Sequence, residues 1–184
     1  MRKVQKVAVG IDPGQKGFVS LIIETTEGVE YESYPLPVLK GGFVDFKKLK
    51  EIFTHLAKYV YVDNCIFHCA IEDVHAIPGS SAGATFSFGY IVGVLESYIN
   101  EYALPYTKVA PKTWQKEMWA GISLIQKKSS TGKTMVTDTK KMSLQAFNRL
   151  FPKIDARRTE RCSVPDDNKV DSFLIAEYVK RKFI

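Results

Sequence analysis

The chain has few of the residues from which disulfide frameworks and soft-metal centres are built. Only three cysteines and three histidines occur among its 184 residues, and neither group follows a metal-ligand spacing. The cysteine count is odd, and Cys65 and Cys69 lie in an apolar run, which favours buried thiols. We therefore expect a protein of a reducing, intracellular compartment, in the cytoplasm.

The sequence also lacks a hydrophobic run of about 18 residues, so we predict no membrane span. The apolar stretch near the N-terminus is too short for a signal peptide, and no small-residue cleavage site follows it. A hydrophobic fraction of 45% and an aromatic fraction of 12% predict a folded protein, which we expect to be one domain over 1–184. The formal net charge of +6 is compatible with a polyanionic partner, but does not by itself indicate one.

Hydrophobic periodicity predicts an α/β protein with a mixed sheet between helices. Three strands come first and form an antiparallel meander, and two further strands alternate with helices. The polar, basic stretch at 126–141 has no such period and is predicted to be an insertion loop. Strands are predicted at 4–12, 18–24, 29–34, 65–73 and 106–110, and helices at 46–60, 86–102, 112–120, 142–150 and 168–182.

Three acidic residues occupy positions where a surface charge is not expected. Asp12 ends the first apolar strand, Glu72 lies near the end of the fourth, and Asp171 opens the last helix. If strands one and four are neighbours, Asp12 and Glu72 meet at one end of the sheet, and a helix packed there brings Asp171 alongside. Such a cluster is stable only with cations or raised pKa values. Two Mg²⁺ ions about 3.5–4 Å apart would balance it and clamp a phosphodiester for attack by water.

The same residues also permit an interpretation without chemistry. Asp-Pro and Pro-Gly are ordinary turn dipeptides, so Asp12 is compatible with a simple turn. Glu72 and Asp171 are compatible with a strand-end acid and a helix-start acid that favours the helix dipole. The residues alone leave both interpretations open.

An ordered set of motifs resembles those of RuvC-type Holliday-junction resolvases, which belong to the ribonuclease H-like superfamily. GIDPGQKG at 10–17 is similar to their first motif, AIEDV at 70–74 to the second, and VDSFLIAEY at 170–178 to the last. KVAPKTW at 108–114 resembles a segment of phage-type relatives. Each motif alone is weak, but together they follow the family's order and spacing over most of the chain.

The resemblance implies a ribonuclease H-like fold, with a mixed five-stranded sheet flanked by helices. It implies a Mg²⁺-dependent endonuclease, in which Mn²⁺ can substitute, that resolves four-way DNA junctions by paired cuts. The metal-binding carboxylates would be Asp12, Glu72 and Asp171. The cellular setting that it suggests is a bacterium or a phage-infected host.

The resemblance also implies a homodimer, because a four-way junction has two equivalent strands to cut and a two-fold axis places two sites on them. The helix predicted at 86–102, with Gly89 and Gly93 on one face, is the candidate contact. The alternative for this helix is an ordinary role in the core of one chain.

The fourth metal-binding residue departs from the family's pattern. Bacterial members have it three residues before the final Asp, where this chain has Asn168. Some phage and plastid relatives have His five residues before it, where this chain has Asp166. We expect Asp166 to be the fourth catalytic and metal-binding carboxylate and Asp167 to cap the last helix, with Asp167 as the alternative ligand.

Basic residues are candidate contacts to DNA phosphates, although any single lysine also fits a plain solvated surface. Lys112 and Lys116 are the best placed, because their segment is expected to end near the carboxylates. His75 occupies the position where the resolvases have an aromatic wedge. Trp114 and Trp119 are expected in the core or at an interface rather than stacked on bases. The candidates are Lys16, His75, Lys108, Lys112, Lys116, Lys127, Lys128, Lys133, Lys140 and Lys141.

Two other functions stay open at this point. A different ribonuclease H-like enzyme, such as a ribonuclease or a less selective flap or branch nuclease, would use the same carboxylates. A non-catalytic junction-binding protein would not need them. The Asp-Pro-Gly motif and the basic stretch speak against a simple RNA–DNA hybrid nuclease, and the presence of all three carboxylates speaks against a scaffold.

Overall fold

The computed structural model describes residues 2–73, 81–129 and 131–184. A five-stranded sheet with the strand order β3-β2-β1-β4-β5 forms its centre. The first three strands are an antiparallel meander, and β1, β4 and β5 run parallel. The predicted mixed sheet is therefore confirmed. The strands are β1 (Val4–Asp12), β2 (Phe18–Thr25), β3 (Gly28–Pro35), β4 (Ile66–Glu72) and β5 (Tyr106–Val109).

Helices cover both faces of the sheet, as the α/β prediction requires. Two of them pack on one face and three on the other. In the described part of the chain, no helix is both long enough and apolar enough to cross a membrane. The first pair is α1 (Phe46–Val60) and α2 (Ala82–Glu101), and the second set is α3 (Pro111–Met118), α4 (Thr139–Leu150) and α5 (Asp167–Phe183).

Alternation along β1 separates two cores, because successive side chains of a strand point to opposite faces. Val7, Val9 and Ile11 are fully buried in the core beneath α1 and α2, here called the α1–α2 core. Ala8 is buried in the core beneath α3, α4 and α5, here called the α5 core, and Gly10 lies against α5 itself.

Gly10 allows α5 to lie directly on the sheet. A Cβ atom at this position would come within 2.1 Å of the Ser172 carbonyl oxygen and 2.4 Å of the Ala176 backbone nitrogen. These are backbone atoms of a packed helix, so no larger residue fits without moving the helix. On the neighbouring strand, the Ser20 hydroxyl lies 2.6 Å from the Ser172 hydroxyl in a buried hydrogen bond. Together these contacts fix α5 against β1 and β2.

Two helices begin where polar side chains cap them. The Asp45 carboxylate accepts from the Lys48 backbone N–H at 3.2 Å, so α1 begins at Phe46, where the helix was predicted to begin. The Ser81 hydroxyl accepts from the Ala84 N–H at 3.2 Å, so α2 begins at Ala82 rather than at the predicted position 86. The first turns of α2 are exposed and carry no apolar period, which is why the prediction began too late.

The stretch predicted as a loop at 126–141 is not a loop throughout. It contains an antiparallel pair, β6 (Gln126–Lys128) and β7 (Met135–Thr137), and Asp138 caps α4 by accepting from the Lys141 N–H at 3.4 Å. The helix therefore begins at Thr139 and not at 142 as predicted. Most side chains of this hairpin are exposed, so no apolar alternation marks its strands in the sequence.

Candidate active site

Asp12 and Glu72 lie at the same edge of the sheet, at the ends of β1 and β4. The parallel register pairs Ile11 with Ile71. Asp12 and Glu72, which directly follow them, therefore lie side by side on neighbouring strands. Both isoleucines are buried in the α1–α2 core. Because side chains alternate, Asp12 and Glu72 belong to the opposite face, on which α5 packs.

Helix α5 brings Asp171 to this edge. Asp171 directly precedes Ser172, whose carbonyl lies against Gly10 on β1. The charges of Glu72 and Asp171 both raise the pKa of Asp12, and the charge of Glu72 raises the pKa of Asp171. The structure thus brings together the three carboxylates that the sequence singled out.

Burial is the largest cause of the raised pKa values in this cluster. It raises the pKa of Asp12 well above the ordinary value, and the neighbouring carboxylates raise it further. Burial, with the charges of Glu72 and Asp167, raises the pKa of Asp171 to about 7. Burial also raises the pKa of Glu72. The three groups therefore resist being ionised together unless a cation balances them.

Trp114 on α3 holds Glu72. Its indole Nε1 donates to Glu72 Oε1 at 2.8 Å, and this hydrogen bond favours the charged form of the carboxyl group. Trp114 is fully buried in the α5 core, which confirms the prediction of a core residue. The polar contact was not predicted, because a tryptophan in the sequence does not show where its N–H points.

Ser143 on α4 supports Asp171. The buried Ser143 hydroxyl lies close enough to the Asp171 carboxyl group to lower its pKa, against the larger effect of burial. The Asp171 Oδ1 atom is buried and, among the described residues, has no hydrogen-bond partner. An unpartnered buried carboxylate oxygen is costly on its own and is a fitting ligand for a hard cation.

Asp166 caps α5, so the prediction that Asp167 is the cap is wrong. Asp166 has an extended backbone, and its Oδ1 accepts from the backbone N–H groups of Asn168 at 3.0 Å and Lys169 at 3.3 Å. Its Oδ2 accepts from Arg158 Nε at 2.6 Å. Burial would raise the pKa of Asp166, but these hydrogen bonds lower it overall. Two adjacent aspartates left this choice open in the sequence, and the backbone angles decide it.

Asp167 is more exposed, in the first turn of α5, and its Oδ2 lies 2.6 Å from Lys140 Nζ. The two aspartates flank different members of the cluster, because Asp166 raises the pKa of Asp12 and Asp167 raises that of Asp171. Lys140 lies close enough to Asp171 to lower its pKa.

The donor set fits a hard divalent cation. In the ranges that the structure describes, no three His, Cys, Asp or Glu side chains form a ready-made metal-binding group. The sheet edge nevertheless carries the carboxylates of Asp12, Glu72 and Asp171, and Mg²⁺ prefers carboxylate oxygens as ligands. Asp171 Oδ1 is buried without a partner, as described above. The residues present therefore suit such an ion.

The predicted DNA-binding lysines differ in their distance from this edge. Lys112 and Lys116 are exposed on α3, the helix that carries Trp114. Lys16 is exposed in the turn after Asp12. Lys108 is paired with Ile71 in the β4–β5 register, so it lies on the face opposite the carboxylates.

The other candidates lie on the face of α2 or around the hairpin, or fall outside the described residues. Lys108 forms an ion pair with Glu96 of α2. Lys127 Nζ lies 3.3 Å from Asp138 Oδ1, and Lys128 and Lys133 are exposed on the hairpin. Lys141 is exposed in the first turn of α4. His75 and the Gly/Ser segment from 76 to 80 lie outside the residues that the structure describes.

Reasoning from the sequence missed Arg158. It lies between α4 and α5, donates to Asp166 and to the Lys16 carbonyl, and so touches both segments that carry the site. The sequence held no signal for it, because Arg157 and Arg161 stand beside it in the same polar stretch. A cluster of arginines of this kind is usually a solvated surface.

Comparisons with known proteins identify the fold. RuvC from Thermus thermophilus in complex with a Holliday junction substrate matches over 97% of both chains, with 13% identity and a TM-score of 0.53. A second T. thermophilus RuvC structure matches over 95% of both chains, with 14% identity and a TM-score of 0.49. The ethanolamine utilization protein EutJ from Carboxydothermus hydrogenoformans matches over 65% of this chain and 42% of its own, with 18% identity and a TM-score of 0.36.

No protein-family model matches the chain, and no curated protein matches it either. At 13% identity, the likeness to the junction-bound RuvC concerns the fold alone. The chain has the ribonuclease H-like fold of RuvC, and the predicted fold is thereby confirmed.

Proposed function

We propose that the protein is a metal-dependent endonuclease that cuts four-way DNA junctions. The observation that carries the proposal is the convergence of Asp12, Glu72 and Asp171 at one edge of the sheet, where their mutual repulsion calls for cations. The RuvC-like fold supports DNA junctions as the substrate, because the RuvC structure that it resembles holds a Holliday junction.

The metal would be Mg²⁺, with Mn²⁺ as a substitute, and two ions suit the number of carboxylates. Asp12, Glu72 and Asp171 would hold them, with Asp166 as the fourth ligand beside Asp12 and Asp167 as its alternative beside Asp171. When bound, the ions supply charge neutralisation and an activated water for attack on a phosphodiester.

The protein's own residues orient these groups before substrate arrives. Trp114 donates a hydrogen bond to Glu72, and Ser143 favours the ionised form of Asp171. Such preorganisation lowers the reorganisation needed during the reaction. Lys112 and Lys116 are proposed to contact DNA phosphates near this edge.

Three further candidates complete the proposed DNA contacts. Lys16 adjoins the Asp12 strand end and is exposed. His75 follows β4 by three residues and stays a candidate for stacking on a base. Lys108 is the weakest of the three, because it is engaged with Glu96 on the other face of the sheet.

A homodimer is part of the proposal. Phe86 on α2 is 77% exposed, and Cβ atoms added at Gly89 and Gly93 would meet nothing within 4 Å. A bulky apolar side chain and a glycine surface on one helix suit close packing against a second copy. We also propose a cytoplasmic location, where such a DNA substrate is accessible. Sedimentation that shows only a monomer on junction DNA would contradict the dimer.

The proposal is tested by comparing substrates of defined shape. A four-way junction, a flap, an RNA–DNA hybrid and a linear duplex of matched sequence are incubated with the protein and Mg²⁺ or Mn²⁺. We expect paired nicks in the junction and much slower cutting of the other substrates. Equal cutting of flap and junction would favour a general branch nuclease, and binding without cutting would favour a scaffold.

Asp12→Asn tests the role of the carboxylates. The change removes one negative charge and little volume, so junction binding should persist while cutting falls by roughly 10³-fold. Asp63→Asn, an equivalent change at an exposed position after α1, serves as the control and should cut normally. Near-normal cutting by the Asp12 variant would overturn the metal mechanism.

A further inference from the structure

Arg158 connects two parts of the candidate site and is itself held in place. Its Nε donates to Asp166 Oδ2 at 2.6 Å, and its Nη2 donates to the Lys16 carbonyl oxygen. The guanidinium carbon lies 4.5 Å from the centre of the Phe18 ring, within the range of a cation–π contact. Three contacts from two segments, the stretch from Lys16 to Phe18 and the start of α5, hold this side chain in one orientation.

Part of the guanidinium remains available to a ligand. A guanidinium has five N–H donors, and the two hydrogen bonds above use only Nε and Nη2. Within the described residues, Nη1 has no hydrogen-bond acceptor, and 29% of the side chain is exposed. The N–H donors that these two hydrogen bonds leave unused form one side of the fork with which a guanidinium binds phosphate in two-point contacts.

Arg158 also lines a groove of about 680 Å³. The strand end and loop at 34–39 and the first turns of α1 form the rest of its wall, with Leu36 and Ile52 among the apolar residues. The groove's lysine, Lys48, is 3.8 Å from Asp45. The guanidinium of Arg158 therefore lies at the boundary between the groove and the carboxylate cluster.

Charge explains why a cation is needed at this boundary. Asp12, Glu72 and Asp171, with Asp166 beside them, form a concentration of carboxylates that repels a phosphodiester strand. Metal ions held by these carboxylates would offset this repulsion at the scissile phosphate and would leave the neighbouring phosphates to other cationic groups. A fixed guanidinium next to the cluster is paired with Asp166 but keeps further N–H groups that can donate to one of these neighbouring phosphates.

We propose that Arg158 binds the backbone phosphate next to the scissile one and thereby positions the substrate strand between the groove and the carboxylates. This inference rests on the proposed function. Arg158 is a positioning residue, because it acts through the strand and through Asp166 and not on the reacting atoms. The competing interpretation is that Arg158 only holds Asp166 in place for the α5 cap.

The test measures DNA binding without cutting. Arg158→Gln is made in the Asp12→Asn background, and the dissociation constant for a four-way junction is measured over a range of salt concentrations. Glutamine keeps a neutral donor for Asp166, so the fold should persist. Loss of one phosphate contact should weaken binding by about tenfold and reduce the salt slope by about one unit. Arg158→Lys should retain most of the slope, because it keeps the charge.

Arg157→Gln is the matched control. Arg157 adjoins Arg158 in the chain, pairs with Asp155 at 2.8 Å and does not line the groove. Its loss removes the same formal charge from the same loop. We expect the Arg157 variant to change the salt slope by much less than one unit. Equal effects of the two variants would assign both to the general charge of the loop and overturn the proposal.

A double-mutant cycle with Asp166→Asn separates phosphate binding from the support of Asp166. If Arg158 binds phosphate, Arg158→Gln reduces the salt slope whether residue 166 is Asp or Asn. If Arg158 only holds Asp166, its change has no further effect on the slope once Asp166 is replaced, and the proposal is wrong.

The outcomes also separate this proposal from the proposed function. Junction binding with an unchanged salt slope in Arg158→Gln would refute the role of Arg158 and leave the nuclease proposal standing. A protein that binds no DNA at all, with an intact thermal transition, would refute both. A reduced salt slope in Arg158→Gln, together with faster cutting of the four-way junction than of the other substrates by the wild type, would support both.

Discussion

The two faces of the sheet are built from different side chains along the same strands. On the α1–α2 side, β1 presents Val7, Val9 and Ile11, which are bulky, apolar and fully buried. On the α5 side, the same strand presents Ala8, Gly10 and Asp12 in succession. One face of β1 therefore carries large side chains, whereas the other carries small ones, so that a helix backbone can contact the strand.

The difference shows how the site is assembled. Large side chains on the α1–α2 face hold the helices at a distance set by side-chain packing. Small residues on the other face let α5 approach until Ser172 touches Gly10, and the adjoining Asp171 then lies beside Asp12 and Glu72. The face on which β1 contributes less apolar volume is the one that carries the candidate active site.

Gly10→Ala gives the largest expected change in stability. The added Cβ would overlap backbone atoms of α5, so we expect a loss of at least about 3 kcal/mol, at the upper end for an overpacked core. Val9→Ala, the control on the opposite face, removes two methyl groups from a full core and should cost about 2 kcal/mol. Denaturant unfolding measures both. If Gly10→Ala loses less stability than expected, α5 can move away from the sheet at little cost in free energy.

Asp171→Asn should stabilise the metal-free protein at high pH. Because the folded-state pKa of Asp171 is raised to about 7, its contribution to stability is present at low pH and is lost as pH rises through that value. At pH 8, without metal, the asparagine variant should be more stable by on the order of 2–3 kcal/mol. Thermal unfolding in a chelator, from pH 4 to 8, measures the difference.

Asp167→Asn is the control for this pH series, because Asp167 adjoins the same cluster but is more exposed. Its stability should follow the wild-type curve to within about 0.5 kcal/mol. Added Mg²⁺ should stabilise the wild type more at pH 8 than at pH 5 and should stabilise Asp171→Asn less. If the stability of Asp171→Asn depends on pH as that of the wild type does, Asp171 is not the carboxyl group whose ionisation destabilises the folded protein.

Asp166→Ala and Asp167→Ala distinguish the two acids at the start of α5. The Asp166 variant loses the helix cap and the partner of Arg158, which should cost about 1–2 kcal/mol. The Asp167 variant loses an exposed ion pair with Lys140, which should cost less than about 0.5 kcal/mol.

Cleavage by the same two variants tests the ligand assignment. If Asp166 is the fourth ligand, cutting falls more in the Asp166 variant than its loss of stability explains. Rates are compared at a temperature at which both variants are fully folded. Normal cutting by Asp166→Ala, with loss of cutting in Asp167→Ala, would transfer the role to Asp167.

Trp114→Phe and Trp119→Phe separate a partnered indole from an unpartnered one. Trp114 Nε1 donates to Glu72, so its loss should cost about 1 kcal/mol and slow cutting. Trp119 Nε1 is buried and has no partner among the described residues, so Trp119→Phe should be close to neutral. Equal losses in both variants would show that ring packing, rather than the hydrogen bond to Glu72, determines the effect.

Much of the fold was predictable because its signals are local. The five strands and the Asp45 cap follow from apolar periodicity and short polar motifs, which depend only on neighbouring residues. The start of α2 and the β6–β7 hairpin were predicted wrongly, because both are exposed and leave no apolar pattern. The positions of Asp12 and Glu72 were predictable, because a strand-end residue needs only the strand to be recognised.

The sequence by itself therefore determined which residues form strands, which strand ends carry acids, and the resemblance of the motifs. Tertiary structure alone decided that Trp114 donates to Glu72 and that Arg158 connects Asp166 to the Lys16 turn. The physical reason is the separation of the partners along the chain. A strand or a cap depends on a few adjacent residues, whereas these contacts join groups from 8 to 142 positions apart, and only the packing of α5 on Gly10 and of α3 beneath the sheet brings them within reach.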